Sequence, residues 1–279
     1  MQVTTIESFN SPYGQIHTPI HTVISDNDDT GRRIVFLGGM GQNPDLMLGL
    51  QNVLAGVHGI SSVGLSAFDT VGATEKVNEG RMQRRANILN YLGKTILREK
   101  FPSPTAILTH CAGANVLLLA QTQTDKTQTD KSDYFPIVGV LAEPMLEKFE
   151  RLSGLSRPFA AHEYRARKDP KLISLLSLSA KSANNLSATD LVAPLQEIID
   201  TDSAGHFVKL QKLGAYYMVV VGINDFAARR DGIEEGVKAA GGEAHIVGYS
   251  NQELSGHGFL LVNPGEALNA VVPLLHLPG

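Results

Sequence analysis

The only cysteine of the chain, Cys111, lies in Thr109-His110-Cys111-Ala112-Gly113, between the apolar run Ala106-Ile107-Leu108 and the helix-prone residues 114–120. A strand that runs into small-x-nucleophile-x-small and straight on into a helix is the pattern of a nucleophile elbow. In that turn a strained backbone lifts one side chain above the carboxyl edge of a sheet. A thiol attacks carbonyl carbon as its thiolate, so a cysteine in such a turn calls for a nearby base, and the start of a helix favours the anion. The bland alternative is that a lone cysteine is a small buried hydrophobe.

Nine histidines could supply the base, and chain order chooses among them. In elbow enzymes the acid follows a late strand and the histidine comes later still. Asp225 follows Met218-Val219-Val220-Val221, and His257 lies between two glycines after another β-rich run. The reading is therefore Cys111 as nucleophile, His257 as base and Asp225 as the acid that orients it. Asp231 lies close behind Asp225, and Glu143, just after the preceding strand, is the alternative acid. His110 adjoins the nucleophile on a strand, where neighbours point to opposite faces, so it is not expected to be the base. His162, His206, Arg165 and Arg167 are second-rank candidates for touching substrate.

An oxyanion hole needs two N–H donors, one after the nucleophile and one from a loop after an earlier strand. Ala112 is the first donor. The loop Leu37-Gly38-Gly39-Met40-Gly41-Gln42 supplies the second from Met40, or from Gly39 if the register is one residue shorter. No Gly-Lys-Ser/Thr follows these glycines, which argues against a phosphate loop. No histidine or His/carboxylate spacing in the sequence suggests a metal site, so neither a metal nor another cofactor is expected.

The elements that must position these residues read as βαβ rhythm. Runs at 4–9 and 15–24 around Ser11-Pro12-Tyr13-Gly14 predict an antiparallel hairpin. Strands are expected at 33–37, 60–67, 106–108, 137–142, 215–221 and 244–249. Helices are expected at 43–57, starting at Asn43-Pro44, at 77–100, stopping before Pro102, and near 264–275. This alternation predicts an α/β fold: a mostly parallel twisted sheet with helices on both faces. The repeated Thr-Gln-Thr-Asp-Lys at 122–131 predicts a surface loop. Span 144–213 has no clear β pattern but helix-like runs at 171–182 and 191–200, so it reads as an inserted helical cap. The core is then 1–143 and 214–279.

The net charge of −4 and the scattered basic residues argue against nucleic acid as a partner. No secretory signal and no membrane-spanning stretch is evident, and one cysteine allows no internal disulfide, so a soluble cytoplasmic protein is expected. Nothing in the sequence speaks to oligomeric state.

On the loop 38–41, the elbow 109–113, Gly222–Asp225 and Gly256–Gly258, the chain resembles the α/β-hydrolase superfamily from about residue 33 to the end, apart from the cap. The resemblance implies an eight-stranded sheet with an antiparallel second strand. The cysteine variant is similar to dienelactone hydrolases and to polyhydroxyalkanoate synthases, which are acyltransferases. The chain departs from the common pattern at Thr109, where a glycine is usual, and at Gly38, where many relatives have histidine. Its Asp69-Thr70-Val71-Gly72 also lacks an accompanying arginine. Together these readings point to hydrolysis of an ester, thioester or lactone through a thioester intermediate. The substrate would be a small acyl compound, carried or free. Acyl transfer or cyclisation by the same cysteine, or ligand binding without catalysis, are the alternatives.

Overall fold

The computed structural model describes residues 1–17, 19–27, 31–39, 42, 44–67, 81–123, 134–147, 196–225, 228–249 and 257–276. Its frame is an eight-stranded sheet built from β1 (Gln2–Ile6), β4 (Ile20–Ile24), β5 (Arg33–Gly38), β6 (Ser61–Ser66), β7 (Ala106–His110), β8 (Val138–Ala142), β9 (Tyr216–Gly222) and β10 (His245–Tyr249). The order across the sheet is β1-β4-β6-β5-β7-β8-β9-β10. The strand β4 runs antiparallel to both β1 and β6, and every pair from β6 to β10 is parallel. The predicted antiparallel second strand is therefore present. The amino-terminal hairpin forms as two ladders: β1 pairs with β4 in the main sheet, and β2 (Phe9–Ser11) pairs with β3 (Gly14–Ile16) apart from it.

The central strands carry apolar residues on both faces, as a covered parallel sheet requires. On β5, Val35 and Leu37 face one cluster, while Ile34 and Phe36 face the other. Ile107 and Leu108 on β7, and Val219 and Val220 on β9, divide in the same way. The first cluster is covered by α2 (Arg81–Leu92), α3 (Ala112–Gln123), α4 (Ser203–Lys212) and α5 (Arg230–Ala239). The second is covered by α1 (Pro44–His58), the short α6 (Phe259–Val262) and α7 (Pro264–Val271), with a tighter turn over Val272–His276. Helices thus cover both faces.

Helix α3 emerges from the Cys111 turn and packs on α2 and α4. Its residues Ala112 to Thr122 are all buried, which explains why its sequence is apolar all round rather than striped. The predicted helix 77–100 is helical over 81–100, with a π-helical turn at Gly93–Leu97. Its first residues, 77–80, lie outside the described residues. So does most of the segment carrying the repeat, and so do residues 148–195 of the span read as a cap. The described end of that span is helical at 196–200 and in α4, whose Phe207 and Leu210 are buried in the first cluster. Among the described residues no helix is long and apolar enough to cross a membrane.

Candidate active site

Cys111 occupies the one-residue turn between β7 and α3 with φ 51°. That left-handed conformation is uncommon for a residue with a Cβ and costs on the order of 1–3 kcal/mol. The surroundings hold it: the Cys111 N–H donates to Ala142 O on the neighbouring strand at 2.9 Å, and Cys111 O accepts from Ala114 N–H at 3.1 Å. The side chain is 5% exposed and packs with the first cluster. Thr109, at the position where glycine is usual, is wholly buried, and its Oγ1 has no hydrogen-bond partner. The close approach between strand and helix falls instead at Gly113, where a Cβ would lie 2.6 Å from Leu37 O and 2.8 Å from Gly38 O.

Asp225 follows β9, and His257 opens the turn before α6. His257 Nδ1 is 3.1 Å from both carboxylate oxygens of Asp225. Asp225 Oδ1 also accepts the Ala228 N–H at 2.9 Å, which fixes the carboxylate in its own turn. Both side chains are buried. Burial opposes charge on the His257 ring, but Asp225, Cys111 and Glu143 outweigh it and hold the ring's pKa well above 6.5. Asp231 is exposed on α5 beside Arg229, at 3.8 Å, so Asp225 is the aspartate that meets the histidine.

Glu143 occupies the matching place one strand over. It follows β8 with φ 51°, like Cys111 after β7, and its N–H donates to Val220 O at 2.7 Å. Its Oε2 accepts the Gly258 N–H at 2.6 Å and lies 2.5 Å from His110 Nε2. Glu143 therefore binds the backbone next to His257, while Asp225 takes the ring nitrogen. Burial, with Asp225 adding to it, drives the Glu143 carboxyl well above its ordinary range. His110 has both nitrogens engaged, Nε2 by Glu143 and Nδ1 by the Gln42 side chain. Its ring lies 5.6 Å from that of His257, yet with no nitrogen to offer it cannot be the base, as strand parity predicts. Burial, reinforced by His257, pushes its pKa down to about 3.

Ala112 is the first residue of α3, so its N–H has no acceptor within the helix. Met40 lies outside the described residues. The Gly39 N–H donates to Gln42 Oε1 at 2.7 Å, so the alternative donor is committed elsewhere. Gly39 still shapes the site, because a Cβ there would lie 2.8 Å from Cys111 Cβ and 3.1 Å from Ala112 N. Gly39→Ala is expected to lower turnover about 100-fold by pushing the loop away from Ala112, and to cost about 1–3 kcal/mol of stability. Turnover of an activated ester and a urea melt would check both.

No metal-ligand spacing is visible in the sequence, yet the fold brings three such side chains together. Glu143, Asp225 and His257 each bring a ligand atom within 4.8 Å of the others, a set that could hold a metal ion. These residues lie on three separate turns, so their sequence spacing carried no signal. The role of His110 was missed for the same reason. His206 is on α4, bonded to Thr122 Oγ1 at 2.9 Å; His162, Arg165 and Arg167 lie outside the described residues.

No family model matches the sequence, and no curated protein matches it significantly. Solved structures do. An E-2-(acetamidomethylene)succinate hydrolase matches with a TM-score of 0.66 at 12% identity, over 99% of this chain and 100% of that one. A serine hydrolase from the polyaromatic-hydrocarbon-degrading bacterium Cycloclasticus zankles matches at 0.62 and 14% identity, over 96% of each chain. The thioesterase domain from the curacin biosynthetic pathway matches at 0.59 and 12%, over 97% and 99%. The chain has the α/β-hydrolase fold. Within this α/β-hydrolase sheet, Cys111, Glu143, Asp225 and His257 follow the fifth, sixth, seventh and eighth strands in chain order, all at the carboxyl edge of the parallel strands.

Proposed function

We propose that the chain is an esterase or thioesterase that works through Cys111, His257 and Asp225, with no cofactor. The observation that carries this reading is the meeting, at one sheet edge, of a cysteine on a φ 51° elbow with a buried His257–Asp225 pair. Similarity to hydrolases and a thioesterase supports the class of reaction.

In this mechanism His257 takes the Cys111 thiol proton at Nε2, while Asp225 holds Nδ1 and balances the imidazolium. The sulfur attacks the carbonyl carbon, and the Ala112 N–H, with Met40 as second donor, stabilises the oxyanion. The tetrahedral adduct collapses to a thioester as the imidazolium gives its proton to the leaving oxygen or sulfur. Water, deprotonated by His257, then attacks the thioester, and Cys111 leaves as thiol. The substrate is a small acyl ester, thioester or lactone, free or carried on a larger group.

Intact-mass measurement after exposure to activated acyl esters, thioesters and lactones tests this. The expected result is an acyl adduct that is absent in Cys111→Ala and is discharged to water. Discharge only on addition of an amine, alcohol or thiol would make the chain an acyltransferase. A chain that no substrate acylates, and that mild alkylating agents leave untouched, is a ligand-binding member of the fold.

A further inference from the structure

Between the oxyanion loop and the histidine turn runs a chain of hydrogen bonds that the catalytic reading leaves unused. The Gly39 N–H donates to Gln42 Oε1, Gln42 Nε2 meets His110 Nδ1, His110 Nε2 meets Glu143 Oε2, and Glu143 Oε2 accepts the Gly258 N–H. Gln42, His110 and Glu143 are all buried. The donor sequence has one consistent solution: the amide of Gln42 donates to a neutral ring at Nδ1, and that ring donates from Nε2 to Glu143. On its other side Glu143 lies near Asp225 and His257, the three bringing a ligand atom each within 4.8 Å of the others, and Oε1 of Glu143 has no hydrogen-bond partner.

The backbone supports this arrangement. Glu143 adopts φ 51° at its strand end, and Gly258, which it binds, has φ 96°, a conformation that glycine adopts readily. Two left-handed residues are thus joined side chain to backbone, immediately next to His257.

We propose that Glu143 is a positioning residue at the centre of a Gln42–His110–Glu143 strut that ties the His257 turn to the oxyanion loop. This rests on the reading of Cys111 and His257 as nucleophile and base. The strut sets the distance between the ring that takes the thiol proton and the N–H groups that receive the oxyanion.

The test compares Glu143→Gln, Glu143→Ala, Gln42→Ala and the Gln42→Ala/Glu143→Ala double variant. It uses the pH profile of Cys111 alkylation by iodoacetamide and the single-turnover acylation rate with a p-nitrophenyl ester. Glutamine presents a carbonyl oxygen to His110 and Gly258, as the Glu143 carboxyl does. Expected results are a Glu143→Gln profile within threefold of wild type at every pH, a loss of about 30-fold in acylation for Glu143→Ala, and a double variant no slower than the worse single one. Glu143→Gln as impaired as Glu143→Ala would show that the contacts with His110 and Gly258, which glutamine keeps, do not set the acylation rate, and would overturn the proposal. Multiplicative losses in the double variant would break the strut into independent parts. If Glu143→Ala does not fold, Gln42→Ala, which removes the link between His110 and the oxyanion loop, still decides whether the strut sets the rate. A wild type that is alkylated but never acylated refutes the catalytic reading instead, leaving the alkylation profiles to judge the strut.

Discussion

His257→Ala is expected to slow acylation of Cys111 by about 10³–10⁴ and to leave the fold intact. The ring sits in a hole between Asp225 and His110, and no other described imidazole can take over, because both nitrogens of His110 are engaged. Asp225→Asn should lose less, about 10²-fold or more. An amide can turn its N–H₂ toward Nδ1, which favours the tautomer with its proton on Nε2 and blocks removal of the thiol proton. A single-turnover assay with an activated ester reads both variants, with circular dichroism confirming the fold. A loss under tenfold for His257→Ala would mean that the thiol gives up its proton elsewhere. Because a cysteine is less dependent on its base than a serine is, the two variants should also differ in pH dependence. The residual acylation of His257→Ala should rise continuously with pH as bulk water removes the thiol proton.

How far the site could be read beforehand follows from the range of the interactions. The elbow is local: a fully buried strand β7, one turn residue and an apolar helix place Cys111 without reference to the rest of the chain. Asp225 and His257 were legible through chain order, since each follows a strand whose β pattern is clear. The strut was not. Its partners come from three strand ends, and parity rightly told that His110 points away from Cys111 without telling that the residue after the next strand would reach it. Gln42 was the one member with a local signal, a side-chain acceptor three residues after the Gly39 N–H it captures. That capture is also why the Gly39 donor could not be read from glycine content alone. Flexibility of the backbone suggested an N–H turned to substrate, whereas a neighbouring amide oxygen decides where it points.

The pair His110 and Glu143 makes a second large prediction, in the pH dependence of stability. His110 has its pKa pushed down to about 3 by burial, so alone it would contribute stability that is complete above 6.5 and lost as pH falls toward 3. Glu143 is shifted the other way, raised well above 4.5, so alone it would contribute stability that is complete below 4.5 and lost as pH rises through its raised value. Between 4.5 and 6.5 the folded pair holds one proton, on Glu143, and the unfolded pair also holds one, on His110. The slopes cancel, and the pair should leave a plateau across that window. His257, raised above 6.5, binds its proton in both states there and adds no slope. Each substitution should break the balance in its own direction. Glu143→Gln leaves His110 uncompensated, so stability should fall by about 1.4 kcal/mol for each pH unit below 6.5, whereas His110→Gln leaves Glu143 uncompensated and stability should rise at a similar slope as pH falls toward 4.5. Above 6.5 the wild type should weaken as pH climbs, because the folded chain then keeps a proton on His257 that the unfolded chain releases. Urea unfolding midpoints from pH 4.5 to 9 measure all three curves. Parallel curves for the two variants would mean that the buried pair does not hold its single proton on Glu143, whereas opposite slopes around a flat wild type are what two oppositely displaced buried groups in one hydrogen bond must produce.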